Sequence, residues 1–330
     1  DSFSQALKLD PAFFPAAANL AQLDLKANQP AAARQRFEGI LKADPKHLNA
    51  MLAMADLSLR SKDEKAYVSW LEKAATMHPQ AMQPRAALAR YLLAKGDKNK
   101  ALAAAREAVN VQPDNPVALD LLGATQLALG DTPNALGTYR KLVERQPGQA
   151  ASLTKLATAQ IVSKDWTGAR QSLESALRIQ PDFLEAQMML GGVEIQSSRF
   201  DEAQKLAKQM QSQLPNNPAG AILEGDIAFT RKDFPAALAA FDRAQKLKPS
   251  SAVLIRQLHV FNALQRPEEG EKRLVTWLAS HPKDASTRAA HEFSEIASIK
   301  SGHKFPFPFV FFGQDRPVCR CRLLAAVHLL

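Results

Sequence analysis

Apolar residues along this chain recur every three or four positions in blocks of about 13, with polar or turn-forming residues between the blocks. That spacing predicts amphipathic helices, because it keeps one face apolar through successive turns. No run rich in Val, Ile or Thr alternates with polar residues, so strands are not expected. The blocks come in pairs. Within a pair the turn signals are Lys62-Asp63, Gly96-Asp97, Gly130-Asp131, Lys164-Asp165 and Lys232-Asp233, and a proline closes each pair.

Those closing prolines form a ladder. Pro11, Pro45, Pro79, Pro113, Pro147, Pro181, Pro215 and Pro249 each stand 34 residues after the last, and Pro282 follows after 33. Nine residues beyond each proline come Leu20, Met54, Leu88, Leu122, Leu156, Leu190, Glu224 and Leu258. A small residue follows in seven of eight cases: Ala21, Ala55, Ala89, Gly123, Ala157, Gly191 and Gly225, with His259 the exception. The second block repeats Ala33, Ala101, Ala135, Ala169, Ala203 and Ala237, and Tyr67 is the misfit. Small residues in mid-helix let two helices approach closely. One such hairpin cannot cover its own apolar face, so neighbours must stack to make a core.

Eight whole units therefore run 14–47, 48–81, 82–115, 116–149, 150–183, 184–217, 218–251 and 252–284. Residues 1–13 match the second helix of an earlier unit, which is expected to continue upstream. Residues 285–300 would begin a ninth unit, where His291 and Glu292 occupy the leucine and small places. The pattern predicts seventeen helices before residue 285.

With its leucine–small pair, its second-helix alanine, the large residues Phe37, Leu71, Tyr139, Leu173 and Phe241, and the closing proline, the unit resembles the tetratricopeptide repeat (TPR). The resemblance implies an all-α, right-handed TPR superhelix (α-solenoid) of about eight 34-residue helix-turn-helix repeats with a partial repeat at each end. The stretches 9–25, 223–241 and 274–284 are further similar to TPR lipoproteins of the PrsT type, from bacterial PEP-CTERM protein-sorting and exopolysaccharide systems. That likeness implies a protein on the periplasmic side of the cell envelope, with a lipid anchor lying outside these 330 residues. A cytoplasmic protein is the alternative.

Charge and chemistry add little to this. The chain carries 42 basic and 33 acidic residues, but many cations, including Lys8, Lys42, Arg178, Lys246 and Lys248, stand just before boundary prolines. There they complement a helix C-terminus. The positive charge is dispersed and not interleaved with aromatics, so nucleic acid is not an expected partner. No glycine loop suits a phosphate, since Gly191-Gly192 falls inside a helix, and His47, His78 and His281 lie at turns. No catalytic residue, cofactor or metal is expected. Residues 301–330 have neither helical nor alternating periodicity. They read as an out-of-frame or truncated gene end, with a short interfacial anchor or a cap as alternatives. Cys319 and Cys321, the only cysteines, lie there, too close together for an easy disulfide.

What remains is a binding surface. Spacing of i, i+4 and i+8 puts three residues of each first helix on the face that TPR arrays turn to their groove. It selects Gln22, Asp56, Arg90, Asp120, Thr154, Thr158, Met188, Gly192 and Asp226 as the candidate groove residues. The set is charged toward the N-terminal end and small or uncharged at the centre. It suits a protein or peptide partner, which makes the chain a non-catalytic protein–protein interaction scaffold. The alternative is the regulatory arm of an enzyme whose catalytic domain lies outside this chain.

Overall fold

The prolines and turn residues cut the chain into helices at the expected places. The computed structural model describes residues 2–300, with side chains through 292; the readings of residues 301–330 lie outside the described residues. The chain divides into two compact units, 1–163 and 164–330. Unit 1 holds α1 (Ser2–Leu9), α2 (Phe14–Lys26), α3 (Pro30–Ala43), α4 (Leu48–Arg60), α5 (Glu64–Met77), α6 (Met82–Lys95), α7 (Lys98–Val111), α8 (Pro116–Leu129), α9 (Thr132–Arg145) and α10 (Ala150–Val162). Unit 2 holds α11 (Trp166–Ile179), α12 (Leu184–Gln196), α13 (Phe200–Gln213), α14 (Ala219–Thr230), α15 (Phe234–Leu247), α16 (Ser251–Ala263), α17 (Pro267–Ser280) and α18 (Ala285–Lys300). Seventeen helices thus precede residue 285, and no strand occurs among the described residues. The even 34-residue spacing carries no sign of the division at Ser163–Lys164, which falls in the turn of one hairpin.

Two kinds of turn alternate, each with its own chemistry. Within a hairpin the first helix ends on a left-handed residue. Gly96 and Gly130 take it at φ near 80°, while Asn28, Lys62, Lys164, Ser198, Lys232 and Gln265 accept it at φ 58–64°. A side chain there costs roughly 1–2 kcal/mol, which glycine avoids. The aspartate that follows caps the second helix. Asp63, Asp165 and Asp233 accept hydrogen bonds from the amides of Ala66, Gly168 and Ala236 at 2.9, 2.9 and 3.2 Å.

Between hairpins the boundary proline does more than end a helix. Pro45 stands second in a four-residue turn closed by the His47 amide donating to the Asp44 carbonyl at 3.1 Å. The same bond closes the turns around Pro11, Pro79, Pro113, Pro147, Pro181, Pro215 and Pro282. Proline's fixed φ is preset for that position. Pro249 is the exception; Ser250 follows it directly as a cap, its hydroxyl accepting from the Val253 amide at 3.4 Å.

The core lies between the helices of each hairpin and between stacked hairpins. Ala21, Ala33, Phe37, Met54 and Leu57 form one cluster of unit 1, and Leu119, Tyr139, Leu142, Leu156 and Ala159 another. In unit 2, Ala237, Phe241, Ala244, Val253 and Val260 pack with Ala221. The seven small residues of the register are all buried. A Cβ added at Gly123 would stand 2.6 Å from the Tyr139 ring, and one at Gly191 would stand 2.6 Å from Leu223 Cδ1. At both places an added side chain would collide with the facing one.

The last hairpin departs from its siblings. Gly270 takes the second-helix small place, and a Cβ there would stand 2.7 Å from Leu258 Cδ1. Trp277, which replaces a small residue, is not a loose fit. Its indole N–H donates to Asp284 at 2.9 Å and its ring stacks on His281 at 3.8 Å. Asp284 also accepts from the Thr287 amide at 3.0 Å, capping α18.

Leucine at position 123 would have to displace the Tyr139 ring. Gly123→Leu should therefore lower unfolding stability by about 1–3 kcal/mol, read as a drop in the urea midpoint. An unchanged midpoint would show that the two helices do not cross there.

Candidate functional site

Each first helix buries its small residue against its hairpin partner, so the next residue faces away from that partner. In unit 1 this register gives Gln22, Asp56 and Arg90, and all three are exposed. Lys26 and Arg60 lie one turn further on α2 and α4 and are exposed too. Desolvation by the helices around it raises the Asp56 pKa, and Arg60 pulls it partly back.

Toward the C-terminal end of unit 1 the face closes. Asp120 is half-buried and paired with Lys155 at 2.5 Å across α8 and α10. Thr154 is buried, with its hydroxyl donating to the Ala150 carbonyl at 2.9 Å. Thr158 is half-buried and donates to the Thr154 carbonyl at 3.0 Å. Each four-residue step overshoots a full helical turn by about 40°, so an i, i+4, i+8 triplet sweeps from one seam of the helix toward the other. Thr154 lies at the buried end of such a sweep and presents no side chain to solvent.

Tyr67 replaces the alanine of its register and belongs to this region. Its ring is buried against Ala55 and Leu71 and meets Tyr91 edge-on at 4.8 Å. Burial raises the phenol's pKa, the Asp56 charge adds to this, and Arg90 opposes it. The tyrosine thus sits in the field of both groove charges. Beside it Tyr91 shares Glu64 with Lys95, and these contacts hold the Glu64 carboxyl below its ordinary pKa. Sequence reasoning marked Tyr67 as a misfit and did not connect it with Asp56 and Arg90. Its departure from a register place held by six alanines was the available signal.

In unit 2 the equivalent residues are enclosed. Met188 is half-buried and Gly192 is buried. Asp226, expected on the open face, has no exposed surface. It accepts from Arg256 Nε at 3.0 Å, and Arg256 Nη1 donates to the Ala252 carbonyl at 3.2 Å. The second carboxylate oxygen, Oδ2, is buried without a hydrogen-bond partner. Desolvation raises the Asp226 pKa to about 6 despite the Arg256 charge and hydrogen bond. Burial, together with Arg256, also lowers the His259 pKa. Arg256 comes from the next hairpin, 30 residues on, and nothing in the spacing named it as a partner. Among the described residues no group of three or more His, Cys, Asp or Glu side chains could hold a metal ion. No helix there is long and apolar enough to cross a membrane.

Comparison with protein families matches residues 18–81 and 86–150 to one tetratricopeptide-repeat model and 162–227 to a second. Together they span more than half of the sequence. This chain belongs to the tetratricopeptide-repeat family. No curated protein matches it. Among solved structures, a TPR protein from Parabacteroides merdae ATCC 43184 is 13% identical, with TM-score 0.54 over 84% of this chain and 97% of its own. Yeast Tom70 is 11% identical, with TM-score 0.57 over 90% of this chain and 84% of its own. YrrB, described as a TPR protein with an unusual peptide-binding site, is 20% identical, with TM-score 0.44 over 56% of this chain and 96% of its own. For the Parabacteroides protein and Tom70 the likeness is one of fold.

The buried Asp226 carboxylate gives a test of electrostatics. Its folded pKa lies above the ordinary value, so its contribution to stability is present at low pH and lost as pH rises through about 6. Asp226→Asn removes that titration. The stability of the Asn variant relative to wild type should rise between pH 4 and pH 7.5, by on the order of 3 kcal/mol at most. Urea unfolding at both pH values measures it, and a pH-independent difference would contradict the burial.

Proposed function

We propose that this TPR protein is a non-catalytic scaffold that holds a segment of a partner protein on the first-helix face of unit 1. Solenoids use such extended faces for binding, and TPR arrays in general mediate protein–protein interactions. The observation that carries the reading is the polar row Gln22, Asp56 and Arg90. These side chains reach solvent at one register of three consecutive hairpins, without an ion pair among themselves. An unused surface would tolerate them equally well, but the buried Tyr67 beside Asp56 and Arg90 marks a site where one hairpin departs from its repeat pattern.

A partner lying along this face would cross Gln22, an exposed position where Trp adds bulk without charge. Gln22→Trp should weaken partner capture in a pull-down, and Lys205→Glu on the exposed surface of α13 should leave it unchanged. Equal loss from both, or from neither, counts against the site.

The envelope setting forms part of the same proposal. It is supported by the similarity of residues 9–25, 223–241 and 274–284 to PEP-CTERM and exopolysaccharide-system lipoproteins. Fractionation of cells producing the native full-length reading frame should place the protein in the membrane or periplasmic fraction. Recovery in the cytosol would overturn that setting.

A further inference from the structure

We propose that the partner segment taken up by unit 1 is acidic and extended, with its carboxylates meeting Lys26, Arg60 and Arg90. This rests on the first-helix face being the binding site and adds the chemistry of what it binds. Lys26, Arg60 and Arg90 are exposed on three consecutive first helices, α2, α4 and α6, and none forms an ion pair within 4 Å with any described residue.

Asp24 turns to the second helix of its own hairpin, where it pairs with Arg36 at 3.0 Å, and Asp120 pairs with Lys155 at 2.5 Å. Among the described residues of α2, α4 and α6, Asp56 is the acid left open on this face, and it shares the field of Arg60. The open part of the face therefore carries three cations against one carboxylate. A helix C-terminus accounts for Lys26 and Arg60, which lie in the last turns of α2 and α4. It does not account for Arg90, which stands in the middle of α6. Unit 2 makes the opposite choice, spending Arg256 on the buried Asp226.

The geometry sets the length of the segment. Two helices approach no closer than packed helices do, about 8–10 Å, so α2 to α6 spans at least roughly 16–20 Å. An extended chain covers that in about six residues at roughly 3.3 Å each. Acidic side chains about three residues apart would meet successive first helices. The phenol of Tyr67 and the side chain of Gln22 offer hydrogen bonds between the charges.

The test uses a random peptide library fused through its C-terminus to a display protein, so no terminal carboxylate takes part. The library is panned on the full 330-residue chain, on K26E/R60E/R90E, and on an outer-face control, K65E/R106E/R140E, with the same change in net charge. Lys65, Arg106 and Arg140 are exposed on the second helices α5, α7 and α9. Wild type and the control should enrich peptides with Asp or Glu spread over about six residues. Their binding should weaken steeply as salt rises, and the inner-face variant should lose at least about tenfold in affinity.

Enrichment of peptides without acidic residues would overturn the proposal. So would equal loss from both triple variants, or loss from neither. Peptides lost with Gln22→Trp but kept by K26E/R60E/R90E would leave the binding face standing and remove the acidic partner. A library yielding no binder to wild type would overturn both. If the inner triple variant fails to show wild-type helical signal and urea midpoint, K26Q/R90Q replaces it, and unweakened binding of acidic peptides there would equally refute the inference.

Discussion

The close approach of paired helices through one small residue is the contact on which every other feature depends. Gly123 leaves space for the ring of Tyr139, and Gly225 leaves space for the ring of Phe241; a single added carbon would stand 2.6 and 2.4 Å from them. Close approach brings the large second-helix residues Phe37, Leu71, Tyr139, Leu173 and Phe241 into the core. It also sets the direction in which the rest of each first helix points. Because interiors are close-packed, a change at one register position is felt along the hairpin and at its neighbours.

Local turn chemistry makes that packing repeatable. A left-handed residue ends the first helix and an aspartate cap often starts the second, while a proline turn leads to the next hairpin. These signals agree with the hydrophobic spacing, and such agreement between levels is what lets a sequence specify one structure. Where lysine takes the left-handed position, as at Lys62, Lys164 and Lys232, the strain is small beside the burial that stacking provides.

The two units use one register in two ways. Unit 1 leaves Gln22, Asp56 and Arg90 to solvent, where charges are cheap to hold and free to meet a ligand. Unit 2 encloses Asp226 with Arg256 and leaves one carboxylate oxygen unpartnered. An incompletely satisfied buried ion pair is weak evidence for stability, since desolvation rivals the attraction between the charges. At this register place, the side chains open to solvent therefore lie in unit 1.

Helix number, helix ends and hairpin register were legible in the sequence because they follow from short-range causes: apolar period, proline, and turn residues recurring every 34 positions. The buried places of Gly123, Ala135 and Tyr139 were legible for the same reason. The fate of the polar residues was not. Thr154 is buried because it starts its triplet, and a drift of about 40° per four residues separates an open face from a seam; Gly192 and Asp226 hold the same register place as exposed Gln22, Asp56 and Arg90, yet they are buried by their neighbours, Arg256 from the next hairpin in the case of Asp226. Arg256 was invisible as the partner of Asp226, and Tyr67 as a neighbour of Asp56 and Arg90, because those meetings occur between different helices, for Arg256 and Arg90 from the next hairpin. A periodic sequence determines which residue repeats at which place. Whether a given polar side chain meets water or another charge depends on the long side chains that the adjacent hairpins send toward it, and only the packed structure decides that.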